Sequence, residues 1–312
     1  MRRFLSVILF AAMLFVPVLG LAAACGSDDG SDNGSAQTEG LPAVSGGFGE
    51  KPSVTAPDGQ QPATQLVSKT LSEGDGTAVK KGDLLVADYL GQTWRENKVF
   101  DNSFDRGAPT GFVIGTGQVI PGWDESLVGV KAGSRVELVI PPDKGYGAKG
   151  QPQAGIKGDD TLVFVIDVIA SYGKDSVGQA DAARQKIAAD LPSVTGELGA
   201  RPKLAVAKGV KPPAKPSTVV VAQGTGKPVE KGALLVAQFE AVSWAGQAVG
   251  STWQQGLPQG VPVGVEGQPS PFDQLAGVPV GSRVLLLLPP QQGGKPAKDS
   301  LAVVVDVVAQ HA

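Results

Sequence analysis

The side chains that most often carry enzyme chemistry are almost missing from these 312 residues, which hold one cysteine, Cys25, and one histidine, His311. No internal disulfide can form. A Ser-His-Asp or Cys-His arrangement would have to stand on His311, beside a chain end expected to fray. A His/Cys metal cluster cannot be assembled, and neither a Walker loop nor a dinucleotide fingerprint occurs. No metal or cofactor is therefore expected. The stretch that does stand out is Val119-Ile120-Pro121-Gly122-Trp123-Asp124-Glu125, where a proline–glycine pair delivers a tryptophan into an acidic run. Any reaction served by such residues must need little acid–base or nucleophilic machinery.

The elements around this stretch read mainly as strands. Glycine (43) and proline (24) favour turns and β-structure over long helices. Leu84 to Leu90, Ser134 to Ile140 and Thr161 to Ala170 are apolar, β-branched runs bounded by Gly, Pro and Asp. Arg95-Glu96-Asn97-Lys98 reads as a turn. The one short helix of this region begins near Gly122; Asp124 and Glu125 suit its positive end, and Gly129 ends it. An antiparallel sheet folded over one short helix gives the class α+β. The net charge of −3 leaves no basic footprint, so nucleic acid is not expected as a partner.

An internal repeat organises the chain. Leu41-Pro42-Ala43-Val44-Ser45-Gly46 returns 150 residues later as Leu191-Pro192-Ser193-Val194-Thr195-Gly196, and Trp94 returns as Trp244. The offset falls to 149 at Gly107 and Gly256, to 148 at Gly133-Ser134-Arg135-Val136 and Gly281-Ser282-Arg283-Val284, and to 139 at Asp167 and Asp306. The second copy has thus lost nine residues between its Pro-Pro pair and its last strand. Two copies at so long a period indicate tandem domains rather than a solenoid. They span 41–172 and 191–312, joined by a helical linker at 173–190, where residues such as Asp181-Ala182-Ala183-Arg184-Gln185-Lys186-Ile187 alternate polar side chains with alanine.

Ahead of the repeat, Arg2 and Arg3 precede an apolar run from Phe4 to Leu21 and then small residues, the pattern of a signal peptide over 1–24. Leu21-Ala22-Ala23-Ala24-Cys25 resembles the lipobox of bacterial lipoproteins. That resemblance implies lipidation of Cys25 and a cell-membrane location on the extracytoplasmic face. Residues 26–40 are acidic and lack apolar periodicity, as a flexible tether does.

Five motifs of the first copy carry a further resemblance. They are Val86-Ala87-Asp88-Tyr89, Val99-Phe100-Asp101-Asn102-Ser103, Gly117-Gln118-Val119-Ile120-Pro121-Gly122-Trp123, Pro141-Pro142-Asp143-Lys144-Gly145-Tyr146-Gly147-Ala148 and Thr161-Leu162-Val163-Phe164. In this order, over about residues 65–171, the chain resembles the FKBP-type peptidyl-prolyl isomerases. The resemblance implies two tandem FKBP-like domains, each a sheet wrapped around a short helix with an apolar pocket for a proline ring. It assigns Trp123 to the pocket floor, and Tyr89, Phe100, Val119, Ile120 and Phe164 to the walls, with Ile156 added from the long loop. Asp101 and Tyr146 become polar groups of the rim, and Tyr89, Asp101 and Tyr146 the groups closest to catalysis. Thr110 stands where many relatives carry a pocket aromatic. Phe112 reads as core.

The implied reaction suits a chain poor in His and Cys. The barrier to rotating an X–Pro bond is about 18–20 kcal/mol and comes from amide resonance. An apolar, water-poor pocket favours the twisted amide, whose charge separation is smaller, and each ~1.4 kcal/mol of that preference is a tenfold gain in rate. The implied partners are proline-containing unfolded or exported polypeptides, a membrane through the lipid anchor, and macrolides such as tacrolimus.

In the second copy Phe239 replaces Tyr89, Val249 replaces Phe100, Gly250 replaces Asp101, Val261 replaces Phe112, Val303 replaces Phe164 and Phe272 replaces Trp123. Gln268 and Pro269 stand for Val119 and Ile120, and the deletion removes the tyrosine loop. A fold-retaining copy without efficient activity is expected. The alternative is a non-catalytic, chaperone-like lipoprotein that binds Pro-containing segments.

Overall fold

Strands whose two faces are both covered should be apolar almost throughout, and the longest ones here are. A computed structural model describes residues 41–290 and 299–312; the expected signal, Cys25 and tether lie outside them. The first half contains β1 (Ala43–Ser45), β2 (Ser53–Thr55), β3 (Val67–Ser72), β4 (Leu84–Thr93), β5 (Val99–Asn102), β6 (Thr110–Val113), helix α1 (Pro121–Leu127), β7 (Arg135–Ile140) and β8 (Leu162–Tyr172). The six strands β3 to β8 form one sheet in the order β3-β7-β8-β4-β5, with β6 paired to the other end of β4. Its pairs are antiparallel. Leu85, Ala87 and Tyr89 of β4, Val136, Leu138 and Ile140 of β7, and Leu162, Phe164 and Ile166 of β8 share a core with Trp123 and Leu127 of α1. Side chains alternate along a strand. The intervening Leu90, Val139, Val163 and Val165 therefore point the other way, and they form a second core with Val54, Ala56 and Trp94.

The second core is capped by the β1–β2 hairpin, which a buried ion pair pins to the sheet. Arg135 donates to Asp167 through Nε at 2.6 Å and Nη2 at 2.7 Å, and also to the carbonyls of Gly46 and Glu50. Gly49 N–H donates to the same carboxylate at 2.7 Å. Breaking one partner of so buried a pair typically costs 3–5 kcal/mol.

The second half repeats this plan. After β9 (Ala183–Arg184) come β10 (Ser193–Thr195), β11 (Lys203–Ala205), β12 (Ser217–Gln223), β13 (Leu234–Ser243), β14 (Ala248–Ser251), helix α2 (Thr252–Gln255), β15 (Gln259–Pro262), β16 (Arg283–Leu288) and β17 (Leu301–His311). Arg283 and Asp306 rebuild the buried pair, with the carbonyls of Glu197 and Ala200 as its outer acceptors. The counterpart of α1 is only a 3-10 turn, Pro271–Leu275.

Two expectations change. The segment 173–190 holds no helix: Ala183 and Arg184 pair antiparallel with β12, and Gln185 N–H donates to the Val221 carbonyl. A stretch this short is a marginal helix in water, whereas an open sheet edge offers its backbone partners at once. The C-terminus is not frayed either. His311 ends β17, and its Nε2 lies 2.8 Å from the Tyr172 hydroxyl, with burial lowering its pKa.

The two halves also pack directly on one another. Leu84 and Val86 pack with their repeat counterparts Leu234 and Val236 in a shared apolar cluster. A Cβ placed on Gly111 would lie 3.7 Å from the Cα of Gly260, and one placed on Gly260 would lie 3.7 Å from the Cα of Gly111. Equivalent residues thus meet across a pseudo-two-fold contact, the intramolecular form of an isologous interface.

One buried group opposes this stability. Glu137 on β7 is 1% exposed, and neither of its carboxylate oxygens has a hydrogen-bond partner among the described residues. Burial pushes its pKa up to about 7, while Lys69, opposite it on β3, pulls the other way. A carboxyl raised above its unfolded value binds its proton more tightly in the folded state. Stability should therefore fall as pH rises from the ordinary carboxylate range to about 7, then level off. Glu137→Gln should flatten that slope and raise Tm at pH 8 with little change at pH 4.5, as read by thermal denaturation at both values. A parent whose stability does not fall over this interval would contradict it.

Candidate active site

Trp123 is placed by the start of α1. Pro121 occupies the first turn, where its missing N–H is not needed and its fixed φ suits the helix. Gly122 lets the helix approach the sheet: a Cβ there would lie 2.7 Å from Ile140 Cγ2. Asp124 accepts from the backbone N–H groups of Gly115 and Gly117, each at 2.6 Å. That clamp ties back the loop carrying Val119 and Ile120, both half-buried against the core.

Trp123, only 3% exposed, is the centre of an aromatic set. Its ring centroid lies 4.8 Å from Phe112, 5.2 Å from Phe164 and 5.6 Å from Tyr89, all edge-to-face. Phe164 in turn meets Phe100 at 5.6 Å. Such pairs contribute about 0.5–1.5 kcal/mol each beyond their buried area. The Phe100–Phe164 pair depends on Gly91 of β4, where a Cβ would lie 2.5 Å from Phe164 Cε1 and 2.8 Å from Phe100 Cζ. The Trp123 indole N–H is buried without a hydrogen-bond partner among the described residues.

The polar rim is a linked trio. The Tyr89 hydroxyl donates to Asp101 in a very short hydrogen bond. Arg106, on a 3-10 turn at Phe104–Arg106, donates to Asp101 at 2.6 Å and to the Tyr89 oxygen at 2.9 Å, its guanidinium 5.4 Å from the Tyr89 ring centre. It also reaches the Thr110 hydroxyl at 3.3 Å. Ser103 supports the trio from behind: its hydroxyl accepts from Tyr89 N–H and donates to Asp88. Burial and then the Asp101 hydrogen bond raise the Tyr89 pKa, and burial and then the Asp101 charge raise that of Tyr146. Both phenols therefore stay protonated at neutral pH. Tyr146 is 37% exposed, and its hydroxyl has no partner among the described residues. Ile156 is buried in the same core, tied by paired backbone hydrogen bonds to Gln151.

The fold thus gathers Tyr89, Phe100, Asp101, Val119, Ile120, Trp123, Ile156 and Phe164 around one helix start, with Tyr146 near enough to feel the Asp101 charge. Phe112, read from sequence as core, is half-buried and belongs to the Trp123 set. Arg106 was not singled out by its sequence, although an arginine five residues after Asp101 and just before Gly107 was the available signal. The second half has lost the trio as a unit, with Phe239, Gly250 and Gln255 at the positions of Tyr89, Asp101 and Arg106. Its aromatic contact is reduced to Phe239 and Phe272, 5.7 Å apart.

Around the buried Trp123, Phe164 and Ile156 the side chains of Phe100, Phe112, Val119 and Ile120 are half-buried, with Tyr89, Asp101 and Arg106 forming the polar edge. Comparison with known proteins gives the family. The family model for FKBP-type peptidyl-prolyl cis-trans isomerases matches residues 75–169. The chain is 41% identical over 121 residues to an FK506-binding protein of Streptomyces anulatus, covering 39% of this chain and 97% of that one. An FK506-binding protein of Neisseria meningitidis is 40% identical, with 34% and 96% covered. In the crystal structure of FkpA from Escherichia coli the identity is 40%, the TM-score 0.32, and the coverage 37% of this chain and 52% of that one. The chain belongs to the FKBP-type peptidyl-prolyl cis-trans isomerase family, and its enzyme class is that of the prolyl isomerases.

The crowding at Gly91 yields a test, because its repeat counterpart is Ala241 and the facing phenylalanines have become Val249 and Val303. Gly91→Ala should lower Tm and reduce kcat/KM for a prolyl peptide by about tenfold or more, a loss of at least ~1.4 kcal/mol. Adding both Phe100→Val and Phe164→Val, the residues of the second copy, should restore Tm but not activity. Full activity in Gly91→Ala would show that the phenylalanine pair does not shape the site.

Proposed function

We propose that the chain is an exported isomerase whose single working site lies in the first of two FKBP-like copies, acting on X–Pro bonds of envelope or exported polypeptides. The observation that carries this reading is the joint loss, in the second copy, of the Tyr89–Asp101–Arg106 trio, the tyrosine loop and all but one contact of the aromatic set, while the scaffold persists. The Arg–Asp pair, the hairpin cap and the sheet order recur in both halves. The aromatic set, the Tyr89–Asp101–Arg106 trio and the tyrosine loop do not.

In this reading the proline ring sits over Trp123 between Phe100, Val119, Ile120 and Phe164. Tyr146, a free donor at the rim, holds a substrate carbonyl. Tyr89 and Asp101 shape the polar side, with Arg106 keeping the Asp101 carboxylate in place. The apolar floor lowers the barrier by disfavouring the charge-separated planar amide relative to the twisted one. The membrane reading rests on the sequence alone: Arg2, Arg3, the apolar run to Leu21 and Cys25. The tether of 26–40 would hold the domains off the lipid with a mean reach of about 20 Å.

The test uses the full chain. Phe100→Val and Asp101→Val should each reduce the catalysed isomerisation of a prolyl peptide by more than about tenfold. Phe272→Ala in the second copy should leave it unchanged. Loss of activity in Phe272→Ala alone, or none in the first-copy variants, would overturn the assignment. If the parent binds Pro-containing peptide without accelerating isomerisation, the chaperone-like alternative replaces it. Mass spectrometry of the mature protein should find acylated Cys25 as the first residue, and an intact unmodified N-terminus would exclude the anchor.

A further inference from the structure

The two strands that build one wall of the site have a second side. Along β6, Thr110 and Phe112 face the site: Thr110 meets Arg106, and Phe112 packs on Trp123 and Tyr89. Gly111, between them, points away, and what lies there is the second copy. Along β4 the same division holds. Leu85, Ala87 and Tyr89 belong to the core of the site, whereas Leu84 and Val86 belong to the cluster shared with Leu234 and Val236. The strand β6 is four residues long and pairs only with β4, so its outer side has no sheet neighbour of its own half.

We propose that the second copy is a positioning element for the first copy's site, and that Leu234 and Gly260 set the place of Phe112 and Thr110 by backing β4 and β6. This rests on the first copy being the working site. It gives the degenerate copy a reason to keep its scaffold without a pocket. The contact is close: a Cβ on Gly111 would stand 3.7 Å from the Gly260 Cα and 3.9 Å from Leu234 Cδ2, both in the second copy. A Cβ at Gly260 would already touch the Gly111 Cα at 3.7 Å, so the two further methyls of a valine there press on β6. The Tyr172–His311 hydrogen bond closes the same interface at the ends of β8 and β17. Because β6 is short and carries Phe112, a small shift of its backbone passes directly to the Trp123 set.

The experiment compares Gly260→Val and Leu234→Ala with Leu285→Ala, all in the full chain. Leu285 is buried in a cluster of the second copy that does not include the shared one. Two readouts are taken at a temperature where each variant is folded by circular dichroism. One is the separation of KM from kcat for a prolyl peptide. The other is the indole N–H resonance of Trp123 in a 15N spectrum, identified by its loss in Trp123→Phe. The expected result is a KM raised about threefold or more with kcat nearly kept, and a shifted or broadened Trp123 resonance, in both interface variants but not in Leu285→Ala. The proposal is overturned if the interface variants leave KM and the resonance at parental values, or if Leu285→Ala changes them equally. Should the parent catalyse nothing, the proposed function fails, and the Trp123 resonance alone still decides the coupling.

Discussion

The first half depends on one steric arrangement, the seating of the Trp123 ring among three other aromatic rings, with Phe100 behind Phe164, at the start of a seven-residue helix. It is possible only because side chains are missing at two places. Gly122 lets the helix lie against Ile140, and Gly91 leaves room for Phe100 beside Phe164. Packed interiors tolerate neither overlap nor void, so ring positions and glycines are a single constraint. The second half shows the alternative solution. Where its rings have become valines, Ala241 takes the place of Gly91, and the helix has shortened to a 3-10 turn around Phe272.

The polar groups follow from that apolar frame. Tyr89 extends from the core with its ring on Trp123 and its hydroxyl just under the surface, where the half-exposed Asp101 and Arg106 meet it. Its raised pKa, due first to burial, keeps it a donor, and Arg106 holds the Asp101 carboxylate in one orientation. No proton needs to be transferred in twisting an amide. Rigid placement of donors is enough, which is why a chain with one histidine can serve.

Much of this was legible in the sequence, for identifiable reasons. The alternation in β4, β7 and β8 and the Pro-Gly-Trp-Asp helix start are local signals, and they place the class, the helix and Trp123 at its start. What escaped is relational. Arg106 is recognisable only once a 3-10 turn brings it back over Tyr89. Phe112 looks like core until β6 is seen to border the site. The strand at Ala183–Arg184 was hidden because short Ala-rich stretches carry no periodicity strong enough to outweigh an open sheet edge. The packing of Leu84 on Leu234 could not be read from runs that serve equally well as ordinary core.

The most direct test of a single working site is exchange spectroscopy on the full chain with a peptide containing one X–Pro bond. Catalysed cis–trans exchange should appear together with a change at the Trp123 indole N–H, and Trp123→Ala should abolish the exchange. Undiminished exchange in Trp123→Ala, with peptide-induced shifts confined to the surroundings of Phe272, would contradict the account.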